Sequence, residues 1–475
     1  MTIQTPESIA QLPINHPPRL PLPQMFRLGL FQLGLGMMSV LTLGVINRIM
    51  IDELGVSASI AAGAIAMHQF VAPARVWFGQ LSDSKPLFGM HRTGYIWLGG
   101  LGFTVISFLA VQVVWQLGAS LEVSGWSGIT YGWAGLLAGV FAVYGLALSA
   151  SSTPFAALLV DVSDDDNRSK LVSVTWSMLM IGIVIGAIVS SVILKQVGLD
   201  APIAQLQASV DRLFTIVPIA VVGLTVLATL HIEPTYSRFT QRSSLADREH
   251  SLGFRDALKV LTASRQTGIF FTFLLVMSIS LFMQDAVMEP YGGEVFGMEV
   301  SETAQLNAFF GIGTLIGIAA TGFAIIPRFG KQRTVRLSCV GVAIALLGFV
   351  AAGISAVPAS LMLALGLFGL VSGVLTAGAI GLMLDLTAAE TAGTFIGAWG
   401  LAQAIARGTS TLLGGTVLDL GKVLFDLPLL SYSLVFLVQA VGMGCAIVLL
   451  RRVNIQEFQD NTRAAISAVM EGELD

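Results

Sequence analysis

Charged residues are scarce in this 475-residue chain. Asp, Glu, Lys and Arg together make up 11% of the sequence, hydrophobic residues make up 55%, and the mean hydropathy is +0.81. A soluble globular domain carries about 25% charged residues, so this composition excludes that class. The segments of alternating polarity that build a membrane β-barrel are also missing, and the chain is therefore predicted to be an all-α membrane protein.

Cysteines and clustered basic residues are scarce as well, and each absence excludes a class of function. The two cysteines, Cys339 and Cys445, lie in apolar segments and form neither a disulfide framework nor a metal-type spacing. The net charge is −4 and the basic residues are scattered, which excludes nucleic acid as a partner. Without a nucleophile beside a base or a phosphate-binding loop, we predict no enzymatic activity, no required cofactor and no metal site.

Apolar segments of about 20 residues, long enough for a helix to cross a bilayer, recur along the chain. Only three Lys or Arg residues lie in the loops of one side, namely Lys195, Arg212 and Lys422. This bias predicts a multi-pass protein with both termini in the cytoplasm. Twelve spans are predicted, at approximately 28–51, 58–78, 94–117, 132–158, 170–194, 211–231, 267–288, 303–326, 335–354, 358–384, 393–417 and 430–450.

A polar stretch in the middle of the chain divides the spans into two groups of six. We therefore expect twelve transmembrane helices in two pseudo-symmetric six-helix bundles, connected by a cytoplasmic linker that carries a surface helix near 254–261. The predicted bounds are a disordered tail at 1–27, the first bundle at 28–232, the linker at 233–265, the second bundle at 266–452 and a cytoplasmic tail at 453–475.

Two segments that follow spans 4 and 10 indicate an internal repeat. In each, an Asp is followed by a hydroxyl residue and then by an acid three positions later, the spacing of a capping box for the next helix. Local capping accounts for the hydroxyl and the acid but not for the Asp that precedes them in both halves. The aligned pairs are Asp161 with Asp385, Ser163 with Thr387, and Asp166 with Glu390.

The ends of spans 1 and 7 align too, and they bring polar residues into the membrane. Corresponding helices of such repeats face each other, so Arg48 is predicted either to pair with Asp285 across the bundles or to pair with Asp52 on its own helix. The aligned pairs are Asn47 with Gln284, Arg48 with Asp285, and Asp52 with Glu289.

The segment EPYGG predicts how span 7 ends. Pro290 is expected to terminate the helix, and Gly292 with Gly293 to form a tight turn with positive φ. Glu289 then lies at the mouth of a cavity on the non-cytoplasmic side. This placement predicts a gate where spans 1 and 7 close against each other.

Further polar residues lie within the spans. His68 and Arg75 are seven positions apart, on one face of a helix that Pro73 is expected to kink. His68 is either a hydrogen-bonded packing residue or a ligand. Gln403 and Arg407 are predicted to face the interior, because lipid exposure of Arg costs a few kcal/mol. Both arginines either bind an anionic substrate or hold the bundle together through backbone carbonyls.

The loop GQLSDSKPLFGMHRTGY, residues 79–95, joins spans 2 and 3. Its Gly79, Asp83 and Arg92 resemble the cytoplasmic loop signature of the major facilitator superfamily, and RFGKQR at 328–333 resembles a second copy without the acid. Gly79 is expected to permit close helix approach, and Asp83 to accept hydrogen bonds from a facing helix N-terminus and so to latch this side shut. The resemblance implies the major facilitator fold.

The inserted PLFGM and three further runs resemble a narrower family. The runs are APARVWFGQLSDSKPLFGMHRTGYIWLG, QDAVMEPYGGEVFGM and GAWGLAQAIARG, at 72–99, 284–298 and 397–408. They are similar to the bacteriochlorophyll delivery family, whose members are also called PucC-like or LhaA-like. The resemblance implies a protein of a photosynthetic or plasma membrane that handles chlorophyll or bacteriochlorophyll and assists assembly of light-harvesting or photosystem complexes, with their subunits and pigment-synthesis enzymes as partners.

The resemblance also implies that the polar residues of the spans form a central cavity for the pigment. His68 is then the candidate axial ligand to its magnesium. The candidate cavity residues are Arg48, His68, Arg75, Gln284, Asp285, Glu289, Trp399, Gln403 and Arg407. Two alternatives stay open: a proton-coupled transporter of a small amphiphilic or anionic solute, with Asp285 or Glu289 as its proton site, and a scaffold that transports nothing.

Overall fold

The computed structural model describes residues 18–163, 165–195, 202–237, 265–386 and 392–453. Within these ranges the secondary structure is helical, apart from one isolated bridge between Leu87 and Met90. The described helices form twelve segments in two six-helix bundles, as the pattern of apolar segments predicts. The predicted linker helix near 254–261 and most of both predicted tails lie outside the described residues.

Each span is continuous or nearly continuous helix. The bounds are Leu22–Glu53 (span 1), Ala58–Phe70 with Ala74–Ser84 (span 2), Thr93–Ser124 (span 3), Gly128–Asp161 (span 4), Asp165–Leu194 (span 5), Ile203–Thr229 (span 6), Arg265–Phe282 continued by the 3₁₀ turn Met283–Ala286 (span 7), Val300–Ala320 (span 8), Lys331–Ser355 (span 9), Pro358–Leu386 (span 10), Ala392–Leu424 (span 11) and Pro428–Arg451 (span 12).

Ten of the described helices are each long and apolar enough to cross a membrane. Span 2 is divided into pieces of 13 and 11 residues, each too short to cross alone. The division lies at Pro73, which cannot donate the backbone hydrogen bond that a continuous helix needs. His68 and Arg75 therefore lie on different helical pieces, and the prediction that they share one face of a single helix is wrong.

The same helix pairs pack in both bundles. Spans 1 and 5, 2 and 4, 3 and 4, 1 and 6, and 3 and 6 contact each other in the first bundle, and the corresponding contacts recur six spans later in the second. Between the bundles, span 2 packs on span 11 and span 5 packs on span 8. The repeat relates span 2 to span 8 and span 5 to span 11, so these two contacts are equivalent. This arrangement supports the internal repetition inferred from the sequence.

Glycines bring the helix backbones into contact at several crossings. A Cβ on Gly182 would lie 2.8 Å from Cα of Leu33 on span 1, and a Cβ on Gly313 would lie 2.9 Å from the amide nitrogen of Leu370 on span 10. Close packing therefore accounts for these small residues. Gly79 differs, because its Cβ would meet Thr153 at an ordinary 3.6 Å, so the predicted close approach at Gly79 is wrong.

Candidate functional site

A polar cavity lies between the two bundles, near the middle of spans 2 and 11. The space within its lining, which includes open solvent, is about 390 Å³, and the part that a water-sized molecule can enter is far smaller than a usual ligand pocket. Spans 1, 2, 7 and 11 all contribute to it, so residues distant in sequence converge there. The lining residues are Leu43, Asn47, Ile65, His68, Gln69, Phe282, Asp285, Ala286, Arg407 and Thr411.

His68 has a defined orientation in this cavity. Its Nδ1 lies 2.5 Å from the carbonyl oxygen of Ile65, one helical turn earlier, and its Nε2 lies 2.8 Å from Nε2 of Gln69. A carbonyl only accepts, so Nδ1 carries the proton, and Nε2 accepts from the Gln69 amide. The lone pair of Nε2 is thus engaged only by a flexible side chain, and both alternatives for His68 remain compatible with the geometry.

The charged groups of the cavity come from both bundles. Arg407 and Asp285 line it, their side chains are exposed, and they interact electrostatically across spans 7 and 11. The Arg407 guanidinium also stacks over the Phe282 ring, with Cζ 4.1 Å from the ring centroid. Arg75, on the second piece of span 2, is close enough to act electrostatically on both His68 and Arg407.

Amide side chains connect the cavity to the interior of the second bundle. Gln284 is buried, and its Nε2 donates to Oδ1 of Asp285 at 2.8 Å. Gln439 of span 12 is fully buried against Gln284 and Ser280. Gln403 donates to Oγ of Ser278 at 2.8 Å, so it faces the bundle interior as predicted.

On the side opposite the chain termini, spans 1 and 7 close the cavity. Nδ2 of Asn47 donates to the carbonyl of Ala286 at 2.6 Å, which joins the two bundles directly beneath the cavity. Arg48 forms an ion pair with Asp52 one turn along its own helix, and it also donates to the carbonyl of Met298 at 3.2 Å. Of the two predicted partners, Asp52 is the one the structure pairs with Arg48, and the predicted pair with Asp285 is not formed.

Glu289 lies within the same closure. It is 6% exposed, its Oε1 accepts from Nδ2 of Asn307 on span 8, and its carboxylate packs on Gly44 of span 1, in the other bundle. Oε2 has no hydrogen-bond partner among the described residues. The side chain therefore crosses the interface between the bundles.

The path of the chain after Glu289 differs from the prediction. Pro290 does not end a span but lies in the first turn of the short helix Met288–Phe296, where its missing N–H costs nothing. Gly292 and Gly293 lie inside that helix, and Gly297 after it takes the positive φ, +63°. Gly293 is needed for another reason: a Cβ there would overlap the guanidinium of Arg48.

Two further bonds join the bundles on this side. Asp419 of span 11 accepts from the backbone amides of Ala58 and Ser59, at 2.9 and 2.8 Å, and so caps the first turn of span 2. Gln305 of span 8 donates to Oγ of Ser191 on span 5 at 2.8 Å. All of these bonds lie in the half of the membrane away from the termini, so this is the closed end of the cavity.

The loop between spans 2 and 3 is organised around Arg92. Its Nε donates to Oδ2 of Asp161 at 2.8 Å and its Nη1 to Oγ of Ser82 at 2.7 Å, so spans 2, 3 and 4 are joined at one point. Glu233, after span 6, accepts from the backbone amides of His91, Arg92 and Thr93 and caps span 3. Asp161, the repeated Asp that local capping does not account for, is thus an ion-pair partner of Arg92.

Several predicted residues cannot be placed in contact with others. The structure describes only the backbone at Asp83, Asp166, Asp385 and Trp399, and Thr387 and Glu390 lie outside the described residues. Ser163, directly before span 5, is buried, and its hydroxyl donates to the carbonyl of Val160 at 3.4 Å. The capping boxes therefore stay predictions. Within the described ranges, no group of three or more His, Cys, Asp or Glu is placed to hold a metal ion.

The sequence interpretation missed several residues of the site. Asn47 carried a usable signal, because the repeat aligned it with Gln284. Gln69, Asn307, Asp419 and Glu233 carried none, since their roles depend on which helix terminus or side chain packs opposite them.

Comparison with known proteins identifies the family. The family described as PUCC protein matches residues 45–458, which is most of the chain. The chain belongs to the PucC family. It is 31% identical over 427 residues to the "Bacteriochlorophyll synthase 44.5 kDa chain" of Rhodobacter capsulatus, covering 88% of this chain and 92% of that one. It is 30% identical over 458 residues to "Protein PucC" of the same organism, covering 91% and 93%.

A solved structure places this PucC-family chain among transporter folds. A mutant form of the nucleoside transporter NupG superposes with a TM-score of 0.66 at 13% identity, covering 90% of this chain and 98% of that one. At such low identity the likeness concerns the fold alone. The major facilitator fold implied by the loop signature is confirmed, and the chain is a multi-pass membrane protein.

Proposed function

We propose that this PucC-family protein holds a chlorophyll-type pigment in the cavity between its bundles and assists assembly of light-harvesting or photosystem complexes. It would act as a carrier or assembly factor, without catalysis, in a photosynthetic membrane and with both termini in the cytoplasm. The family match carries this proposal, because two of its relatives are named for bacteriochlorophyll synthase and PucC.

The cavity has the chemical groups that such a cargo needs. A chlorophyll is a flat macrocycle whose magnesium takes an axial ligand, and its edge carries keto and ester oxygens. Nε2 of His68 has the tautomer that ligates metal, fixed by the Nδ1 hydrogen bond to Ile65. The cavity is much smaller than a whole pigment, so it would contact one polar edge of the macrocycle while the rest of the ring and the hydrocarbon tail lie outside.

Replacement of His68 tests the axial contact. We expect wild-type protein purified in mild detergent to retain pigment, or to bind added chlorophyll, with the absorption shift of a five-coordinate magnesium. His68→Asn ends short of the Nε2 position and should lose that shift and weaken binding by about tenfold or more, the loss expected for one ligand contact.

His231→Asn is the matched control, since His231 follows span 6 at an exposed position far from the cavity. Equal absorption spectra for wild type and His68→Asn would show that His68 does not contact the pigment's magnesium. Failure of every variant, including wild type, to bind chlorophyll would contradict the proposed function itself.

A second candidate function is a proton-coupled transporter of a small anionic solute. The observation in its favour is Glu289, a buried acid that crosses the bundle interface and leaves one oxygen unpartnered among the described residues. On this alternative, pigment-free protein in vesicles should accumulate solute when a proton gradient is imposed. Glu289→Gln should abolish that accumulation, and Glu302→Gln, an acid exposed at the start of span 8, should not. Absence of uptake for a panel of anions would count against it.

A further inference from the structure

The cavity and its immediate surroundings contain more positive than negative charge. Arg407 and Asp285 line the cavity, and Arg75 lies close enough to Arg407 to act on it electrostatically. Oδ1 of Asp285 is already bonded to the amide of Gln284. Among the described residues, neither arginine has a carboxylate within 4 Å, although both side chains are exposed and positioned to act on each other. One positive charge in the middle of the membrane thus lacks a counter-charge within the described part of the protein.

Other arginines of the same chain differ from this pair. Arg48 has Asp52 and Glu53, and Arg92 has Asp161 at 2.8 Å. Each of these is at most 5% exposed at the side chain, so both of these buried guanidinium groups have a carboxylate partner. An arginine at membrane depth without such a partner is costly and by default marks a binding site. The exposed arginines Arg75 and Arg407 have no such carboxylate among the described residues. We therefore expect an anion to bind them.

The surroundings favour a carboxylate over a more highly charged group. One uncompensated charge is neutralised by a monoanion, and the planar guanidinium binds a carboxylate through two parallel hydrogen bonds. The Arg407 guanidinium lies over the Phe282 ring, with Cζ 4.1 Å from the ring centroid, and a guanidinium stacked in this way can still donate from its edge. His68, which both arginines reach electrostatically, lies beside the same cavity.

We infer that Arg75 and Arg407 form a carboxylate-binding subsite, and that the cargo is the free-acid form of the tetrapyrrole, whose propionate has not yet been esterified with its long-chain alcohol. The inference rests on the proposed function and specifies its substrate. The two arginines come from different bundles, and either of them contacts the carboxylate. The tetrapyrrole ring lies towards His68. The esterified pigment is neutral at this position and gains nothing from the two charges.

The test compares two ligands that differ only in this charge. Full-length protein in nanodiscs of phosphatidylcholine is titrated with chlorophyllide a and with its methyl ester, and binding is followed by pigment fluorescence. Wild type should bind the free acid at least about tenfold more tightly than the ester, the factor expected for one charge-assisted hydrogen-bonded pair. Arg407→Gln and Arg75→Gln should reduce the free-acid affinity to that of the ester and leave the ester affinity unchanged.

Two further variants separate charge from structure. Arg407→Lys keeps the charge and should retain part of the preference for the free acid. Arg328→Gln, at an exposed position after span 8, is the matched control and should retain all of it. If Arg407→Gln loses affinity for acid and ester alike, the fold of its cavity is disrupted and that variant does not report on charge. Arg75→Gln, provided that its ester affinity is intact, then serves as the test in its place.

Each alternative outcome has a distinct meaning. Equal affinities for acid and ester in wild type would overturn the carboxylate subsite and leave pigment binding intact. If neither pigment form binds, the proposed function fails. In that case the same variants are tested for retention of phosphatidylglycerol, and an Arg407-dependent retention would identify a lipid phosphate as the anion and overturn the free-acid assignment.

Discussion

Replacing Arg92 by Met is expected to destabilise the protein by about 3–5 kcal/mol, the usual cost of removing one partner of a buried ion pair. The Arg92 and Asp161 side chains are 5% and 8% exposed, and their atoms Nε and Oδ2 are 2.8 Å apart. The variant leaves the Asp161 carboxylate buried without its guanidinium. It also removes the donor to Ser82, so the connection between spans 2, 3 and 4 is lost.

The measurement is the midpoint of unfolding in detergent, together with the yield of monodisperse protein. A double-mutant cycle with Asp161→Asn isolates the pair: the double variant should be less destabilised than the sum of the two single variants. Arg212→Met, at an exposed position early in span 6, should change the midpoint little. Additive effects in the cycle would mean that the two charges do not stabilise each other.

Replacing Gly415 by Val is expected to separate the bundles at the closed end of the cavity. A Cβ at this position of span 11 would lie 2.6 Å from Cβ of Ala62 and would overlap the backbone of Ala58, both on span 2 in the other bundle. Backbone cannot move aside as a flexible side chain can, and overpacking typically costs about 1–3 kcal/mol. The separation should also break the bonds from Asp419 to the first turn of span 2.

Accessibility of the cavity from the side opposite the termini measures this separation. In a background without Cys339 and Cys445, Thr411→Cys places a thiol in the cavity, to be labelled with a membrane-impermeant maleimide added on that side. Gly415→Val should raise the labelling rate by about fivefold or more, the factor that corresponds to 1 kcal/mol. Gly139→Val is the control, since a Cβ at this position of span 4 would meet nothing within 4 Å. Unchanged labelling would show that the bundles stay closed without this contact.

The cavity could be predicted in part. His68, Asp285 and Arg407 stood out because polar residues inside apolar spans rarely face lipid, and the structure brings all three to one cavity. Gln284 was a candidate too, and the repeat aligned it with Asn47, which was not. The choice of partners did not follow: Arg48 pairs with Asp52, one helical turn away, although Asp285 is its counterpart in the repeat. Equivalent positions in two bundles need not touch, since small shifts in helix crossing decide which side chains meet.

The sequence alone determined that the chain spans the membrane as twelve helices in two repeated groups of six. The reason is physical: in lipid every backbone polar group must be satisfied within its own helix, so apolar segments of sufficient length have a single available structure. Only the tertiary structure decided how these helices meet. It replaced the expected turn at Gly292 with a short helix, and it paired Asp161 with Arg92 and Asp419 with the first turn of span 2. It also left Arg75 and Arg407 without an ion pair to any described residue. Such partners are set by distances between packed helices, which no local pattern of residues encodes.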